Sequence, residues 1–338
     1  MDLSTTYMGL ALRNPLLASA SPLSYTVDGV RRLADAGVGA VVLFSLFEEQ
    51  LREEAAHNAG LVDGPAESFP EALDYVPQVV KEDVGPRGYL SLLERSAAAV
   101  EVPVIASLNG VTPEGWTDYA RAMQDAGAAA IELNIYYLPG DPHTAAREVE
   151  QRHIDVLQRV KSAVTVPVAV KLSPYFSSIG EMALRLDEAG ADALVLFNRF
   201  LQPDIDPEEL ALSSTVALSS TADARLPRTW IALLRGQVRA ALAATGGVEA
   251  PADVAKYLLA GADVVMTASA LLRHGTEYAG ALLDGLSSWM ARKGFRSVDD
   301  LRGMLSVPHD VDEATYERTG YVSALRAANA RAHGPWRA

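Results

Sequence analysis

Apolar residues along this chain fall into short runs of four to six, and longer stretches between them repeat an apolar position every three or four residues. The short runs suit strands buried on both faces, and the longer stretches suit amphipathic helices. Eight strands are predicted on this basis. They are Leu16–Ser19 after Arg13-Asn14-Pro15, Ala40–Phe44, Val104–Ser107 after Val102-Pro103, Ala129–Asn134, Val168–Leu172 after Val166-Pro167, Ala193–Phe197, about Ala240–Ala244, and Val264–Thr267. Helical patterns occupy the gaps, for example Thr117–Asp125, Ala146–Ala163 and Ile179–Glu188.

One phrase recurs across these elements. It reads LADAGVGAVVL from Leu33, MQDAGAAAIEL from Met123, LDEAGADALVL from Leu186 and LLAGADVVMT from Leu258. Each copy runs from a helix end through Ala-Gly into an apolar strand, and glycine suits the left-handed residue that closes a helix. The glycines are spaced by 90, 63 and 71 residues, too far apart and too unevenly for a solenoid. Repeated helix-to-strand units imply parallel α/β structure, and 338 residues suit a single (β/α)8 TIM barrel. In that fold the chemistry is expected at the C-terminal ends of the strands.

Two stretches exceed a minimal barrel. Residues 48–88 begin as a helix and then carry Gly64-Pro65, Phe69-Pro70, Val76-Pro77 and Gly85-Pro86. This excursion after strand two would lie on the active-site face, as a lid or as a packing or dimer-forming segment. Residues 202–227 form the second stretch, after strand six. The barrel is expected over residues 1–309, with a helical tail ending in basic residues over 310–338.

Composition narrows the function classes. Apolar residues make up 49% of the chain and charged residues 21%, which suits a folded core rather than disorder. A formal net charge of −14 disfavours nucleic acid and anionic membranes as partners, although one local phosphate site remains compatible with it. The chain contains no cysteine, which excludes disulfides, thiolate catalysis and Cys-ligated zinc or iron–sulfur clusters on this chain. The start MDLSTTYMGL lacks the regions of a secretion signal, and no apolar run approaches the ~18 residues of a membrane span. A soluble, cytoplasmic protein acting on a small molecule is expected, with no metal site.

Polar residues stand at the predicted strand ends: Glu132 and Asn134, Lys171 and Ser173, Asn198 and Arg199, Thr245-Gly246-Gly247, and Thr267-Ala268-Ser269. Loops after strands seven and eight commonly bind phosphate in this fold, and small residues there let backbone N–H groups approach it. Gly246-Gly247 also reads as an ordinary turn. Lys171 closes the apolar strand Val168-Ala169-Val170, where an unpaired ammonium is costly to bury. Three roles fit it: stabilising a negatively charged cofactor, forming a Schiff base as in a barrel aldolase, or pairing with Glu132 as structural glue.

In this order the motifs resemble the dihydroorotate dehydrogenase family. The likeness runs from about Leu3 to Gly275. It is carried by Asn14-Pro15 with Ser19-Ala20-Ser21, Glu132-Leu133-Asn134, Val170-Lys171-Leu172-Ser173-Pro174-Tyr175-Phe176, Asn198, Thr245-Gly246-Gly247 and Ala268-Ser269-Ala270-Leu271. The resemblance implies an FMN-binding barrel that oxidises dihydroorotate to orotate, or acts on a related small carboxylate. Ser19, Ala20 and Ser21 would line the isoalloxazine, with Ser45 at its edge. Asn134 would hydrogen-bond flavin or substrate, Lys171 would support the reduced flavin, and Asn198 would contact substrate. Gly246, Gly247, Ala268 and Ser269 would hold the phosphate.

The chain departs from the family pattern in three places. The family's base position holds Tyr137, and a substrate-binding Asn is replaced by Pro139. The usual lysine at the end of strand two is Phe44, and the residue after Asn198 is Arg199. A phenol is protonated at neutral pH, so Tyr137 suits a proton donor better than a resting base. Its alternative is loop packing. Arg199 suits a bidentate grip on a substrate carboxylate, or a salt bridge to Asp204 or Asp206. His143 and His153 are further candidate bases, with His153 expected on the surface of a helix. The electron acceptor would be a small oxidant or an electron-transfer partner protein. A homo-oligomer is compatible with the excursion. The divergent loop also suits a flavin redox module acting on another substrate.

Overall fold

The computed structural model describes residues 1–50, 85–110, 116–137, 140–199, 204–213, 217–308 and 313–332. The chain opens with an antiparallel hairpin of β1 (Thr5–Tyr7) and β2 (Leu10–Leu12). Its two-residue turn, Met8-Gly9, takes φ of 52° and 78°, the paired positive values of a tight hairpin turn. Strands β3 (Leu16–Ala18), β4 (Ala40–Phe47), β5 (Val104–Gly110), β6 (Ala130–Ile135), β7 (Val168–Leu172) and β8 (Ala193–Leu196) follow. A second hairpin, β9 (Asp204–Asp206) with β10 (Ala211–Ser213), leads to β11 (Ala241–Thr245) and β12 (Val264–Thr267).

The expected architecture is present. Strands β3, β4, β5, β6, β7, β8, β11 and β12 pair in that order and close into a parallel barrel. Each coincides with a strand predicted from the apolar runs. The helices are α1 (Val27–Asp35), α2 (Pro86–Ala99), α3 (Trp116–Asp125), α4 (Ala146–Ala163), α5 (Ile179–Glu188), α6 (Arg225–Leu234), α7 (Pro251–Ala260), α8 (Ser269–His274), α9 (Tyr278–Lys293) and α10 (Glu313–Ala332). Local signals set their ends. The Thr26 hydroxyl accepts the Gly29 N–H to start α1, and Ser178 accepts the Glu181 N–H to start α5. The glycines of the repeated phrase take φ of 104°, 93°, 94° and 122° at Gly37, Gly127, Gly190 and Gly261, where a side chain would be strained.

Strand alternation then divides the core into two layers. Outward residues such as Val41, Leu43, Leu133 and Val170 pack against Leu33, Leu93, Met123, Leu157 and Leu186 of the surrounding helices. Inward residues such as Leu17, Val42, Ile105, Ala130, Ala169 and Val195 fill the barrel, and Tyr7, Met8 and Leu12 of the first hairpin close its base. Each such Leu or Ile contributes roughly 1.5–3 kcal/mol by leaving water. The parity that turns Ala130 and Ala169 inward does the same for Glu132, Asn134 and Lys171 one and two steps nearer the mouth.

Both hairpins are absent from the strand prediction, because three-residue strands show too little alternation to register. Of the expected excursion, Glu48–Gln50 is helical as anticipated, while residues 51–84, and with them the lid question, lie outside the described residues. Pro139 lies outside them too. The expected tail helix is α10. Among the described residues no helix is long and apolar enough to cross a membrane.

Candidate active site

A bulge in β4 between Val42 and Ser45 sets the first wall of the mouth. It turns Phe44 outward, where its ring packs edge-on against Tyr25 at 4.4 Å and Tyr89 at 5.1 Å. Ser45 is thereby brought beside Ser107, with the two hydroxyl oxygens 2.8 Å apart. The Asn134 amide donates to Ser107 Oγ at 2.8 Å and to Ser45 Oγ and Glu132 Oε1 at 3.4 Å each. Lys171 Nζ stands 3.2 Å from Glu132 Oε1, with both side chains buried. Behind this wall the Tyr89 hydroxyl accepts the Ser107 N–H at 2.8 Å and donates to the Ser107 carbonyl at 3.2 Å. Burial pushes the Tyr89 phenol well above its ordinary range.

The predicted residues Ser45, Asn134 and Lys171 therefore meet in one hydrogen-bonded column over β4 to β7. Ser107, Glu132 and Tyr89 complete it. Ser107 shares inward parity with Ile105, the signal that would have found it. Beneath the column, Glu132 Oε2 and the Tyr7 hydroxyl are buried without a hydrogen-bond partner. Burial, and next the negative charge of Glu132, push the Tyr7 phenol well up.

The opposite wall is built from β11, β12 and β3. Gly246 and Gly247 follow β11 with φ of 90° and 69°. A Cβ on Gly246 would meet nothing within 4 Å, whereas one on Gly247 would lie 2.5 Å from the Ala224 nitrogen. Gly247 is thus demanded by a close backbone approach, and Gly246 faces open space. Ser269, at the start of α8, accepts from the Ser219 N–H at 3.0 Å and from the Ser219 hydroxyl at 2.9 Å. Ser219 Oγ in turn accepts the Gly247 N–H at 3.2 Å. Ser219, absent from the sequence prediction, ties the two loops together. Ala268 is half-buried beside Ser269. Ser19 and Ser21 are buried and Ala20 half-buried at the end of β3, so only small side chains line that edge.

Tyr137 is half-buried just beyond β6, with the Arg152 guanidinium 4.1 Å above its ring. Asn198 is half-buried beyond β8, and its N–H donates to the Leu172 carbonyl at 2.7 Å. Arg199 is exposed and donates to the Ala217 carbonyl at 2.7 Å, bracing the segment around β9 and β10. His153 corrects the expectation of a surface residue. It is buried against Phe176 at 5.1 Å, and its Nδ1 lies 2.8 Å from the Val149 carbonyl. Burial pushes it down to about 4, so it is neutral at pH 7. Among the described residues no acidic or histidine cluster suits a metal ion.

A broad depression of about 820 Å³ lies at the other end of the strands, lined by Asp187, Asp192, Arg235, Arg239 and Asp263 among others. Its carboxylates are spent on strand N–H groups and neighbouring cations: Asp263 accepts from Leu242 N–H at 2.8 Å and Arg235 at 2.9 Å, and Asp192 from Val168 N–H at 2.7 Å. The mouth, where the Glu132, Asn134, Lys171, Ser45 and Ser107 side chains converge on one another, is the better candidate.

The family model for dihydroorotate dehydrogenase matches residues 73–290, well over half of the chain. The chain is 28% identical over 320 residues to the dihydroorotate dehydrogenase B (NAD(+)) catalytic subunit of Methanothermobacter thermautotrophicus, covering 89% of this chain and 98% of that one. It is 29% identical over 312 residues to the protein of the same name from Methanocella arvoryzae, covering 90% and 98%. It is also 26% identical over 335 residues to the NAD-dependent dihydropyrimidine dehydrogenase subunit PreA of Escherichia coli K12, covering 90% of this chain and 76% of that one.

Proposed function

The chain belongs to the dihydroorotate dehydrogenase family, and from that premise we propose that it is an FMN-dependent oxidoreductase acting on a CH–CH bond of dihydroorotate or a related small carboxylate. The observation that carries this reading is the buried Lys171–Glu132 pair, 3.2 Å apart, at the barrel mouth. The lysine nitrogen is engaged by a buried carboxylate, an arrangement that suits an electrostatic role better than attack on a carbonyl.

The residues present fit FMN. Small side chains at Ser19, Ala20 and Ser21 leave room for a planar ring, and Ser45 and Asn134 offer polar contacts at its edge. Across the barrel, the open face of Gly246, the Gly247 loop, Ala268 and the Ser269 hydroxyl would hold the phosphate. Bound FMN would supply reversible two-electron chemistry. Lys171 would compensate negative charge on the reduced ring system, and Asn134 would orient ring or substrate. Asn198 and Arg199 would hold the substrate carboxylate. Tyr137 would hand a proton to the substrate carbon in the direction of alkene reduction, with Arg152 over its ring holding the phenol in place. The relatives named as catalytic subunits and as subunit PreA support an electron-transfer partner protein for this chain as well.

The test is a visible spectrum of the purified protein, followed by dihydroorotate added without air. A flavin spectrum that bleaches supports the whole reading. A flavin spectrum that stays oxidised would retain the cofactor and move the substrate to another small carboxylate, to be sought with activated alkenes and reduced flavin. No flavin absorbance after added FMN would overturn the proposal. Tyr137→Phe is expected to lower turnover by about 10² or more, and full turnover in that variant would remove the proton-donor role.

A further inference from the structure

Parity along β4 changes midway. Ala40 and Val42 point into the barrel, so strict alternation would send Phe44 inward and Ser45 outward. The structure has the reverse: Phe44 packs in the outer layer, and Ser45 meets Ser107 and Asn134 in the mouth. The bulge makes this exchange. Leu43 and Phe44 of β4 stand opposite Ala106 alone on β5, between the pairs Val42–Ile105 and Ser45–Ser107. A one-residue slip therefore decides whether the mouth presents a hydroxyl or a phenyl ring.

An extra residue takes buried backbone groups out of the ladder, and each needs another partner. Two side chains supply them, one from the short helical turn Pro22–Ser24 and one from α2. The Phe44 N–H donates to Ser24 Oγ at 2.8 Å, and Ser24 Oγ donates in turn to the Ser21 carbonyl at 3.0 Å. Across the bulge, the Tyr89 hydroxyl takes both the N–H and the carbonyl of Ser107, the residue that pairs with Ser45. Ser24 and Tyr89 are both fully buried. Burial keeps the Tyr89 phenol protonated, and a protonated hydroxyl can donate and accept at once. Tyr25, next to Ser24, and Tyr89 also flank the Phe44 ring.

We propose that Ser24 and Tyr89 are positioning residues that lock the β4 bulge, and that the lock keeps Phe44 out of the space a flavin ring would occupy. This role rests on the FMN reading above and is exerted only through Phe44, Ser45 and Ser107. Removing either hydroxyl leaves a buried N–H unpaired in the bulged arrangement, so the balance moves toward regular pairing. Regular pairing turns Phe44 into the mouth and takes Ser45 away from Asn134. The phenyl ring then competes with the isoalloxazine for one space.

The test titrates FMN into the full-length protein after removal of any bound flavin, following the quenching of flavin fluorescence. Tyr89→Phe and Ser24→Ala are each expected to raise the dissociation constant by about tenfold. Leu93→Val, one turn further along α2 and packed in the outer layer, is the control: it should lower the melting temperature and leave FMN affinity unchanged. The decisive variant combines Tyr89→Phe with Phe44→Ala. Truncating the ring should lower the melting temperature further, yet bring the FMN dissociation constant back to the parent value. Should Tyr89→Phe fail to fold, Ser24→Ala with and without Phe44→Ala carries the same comparison. Amide exchange over Val104–Gly110, read without flavin, should quicken in Tyr89→Phe and not in Leu93→Val. Exchange that stays slow overturns the lock, and so does unchanged FMN affinity in both hydroxyl variants. Affinity that falls in step with melting temperature across every variant, the double one included, overturns it as well, because the hydroxyls would then be structural only. Each of these results leaves the FMN reading standing. A parent protein that takes up no FMN removes that reading, and this proposal with it.

Discussion

At the base of the barrel, Asp192 and Asp263 each stand one residue before a strand and accept an N–H at the start of the neighbouring strand, Val168 and Leu242 respectively. At the mouth, Glu132 is met by the side chains of Lys171 and Asn134, and its second oxygen has no hydrogen-bond partner. Both ends pair carboxylates with cations, but the base fixes strand register with them, while the mouth gathers side-chain donors around one carboxylate. Acidic and basic residues therefore do not mark a catalytic end by their presence. What distinguishes it is whether their hydrogen bonds terminate on backbone or converge on each other.

The strongest way to break this comparison is Lys171→Met. The substitution leaves the Glu132 carboxylate, 1% exposed, without its countercharge. A loss of about 3–5 kcal/mol is expected in urea unfolding, together with loss of turnover. Adding Glu132→Gln should restore much of the stability and none of the turnover. If the double variant recovered both, Lys171 would be structural glue and the mouth would work like the base.

Asp263→Ala is the matching experiment at the other end. It strips a hydrogen bond from the Leu242 N–H and a charge partner from Arg235, whose Nη1 lies 2.9 Å from Asp263. Leaving a largely buried donor unmade costs about 1–3 kcal/mol. Turnover per folded molecule should be unchanged. A selective loss of turnover would give the base a catalytic role and erase the contrast.

The barrel itself was legible because its strands are buried on both faces and its helices end in Ala-Gly. Those two signals are local and survive without any knowledge of the partners. Lys171 and Asn134 were legible from their places at strand ends, Glu132 as a partner for Lys171, and Ser45 only through the family resemblance. Ser107 was missed because a small hydroxyl in an apolar run looks like filler until the parity of β5 is known. Ser219 was missed for a different reason: it sits in an irregular segment and matters only through contacts at sequence separations of 28 and 50 residues. His153 was misread because helix α4 looks polar along that turn, yet the turn faces Phe176. The first hairpin closes the base with Tyr7, Met8 and Leu12, from strands too short to show a period.

His153 sharpens the comparison from outside both ends, because it shows that a displaced titration need not mark chemistry. Its folded value of about 4 lies below the ordinary 6.5. Between those values the unfolded chain binds the proton more readily, so stability rises with pH. The contribution is fully present above pH 6.5 and is lost as pH falls toward 4, at a slope of up to roughly 1.4 kcal/mol per pH unit. Unfolding free energies at pH 7 and pH 5.5 should therefore differ by about 1 kcal/mol more in the parent than in His153→Phe. Equal differences would mean that the imidazole titrates normally.

The smallest effect separates the two kinds of bond at the base itself. Asp192 Oδ2 takes both the Val168 N–H at 2.7 Å and the Lys161 ammonium at 2.6 Å. The two side chains are 34% and 31% exposed, so water screens the ion pair and leaves it worth about 0–1 kcal/mol. The N–H bond is different in kind, since Val168 is fully buried and its donor loses its side-chain acceptor once Asp192 is truncated. Lys161→Gln is therefore expected to cost less than about 1 kcal/mol, and Asp192→Ala about 1–3 kcal/mol. Raising the salt should shrink the first cost and leave the second. Two equal, salt-sensitive costs would show that charge pairing rather than backbone capping holds the base, and the distinction drawn between the two ends would then fail where it is easiest to measure.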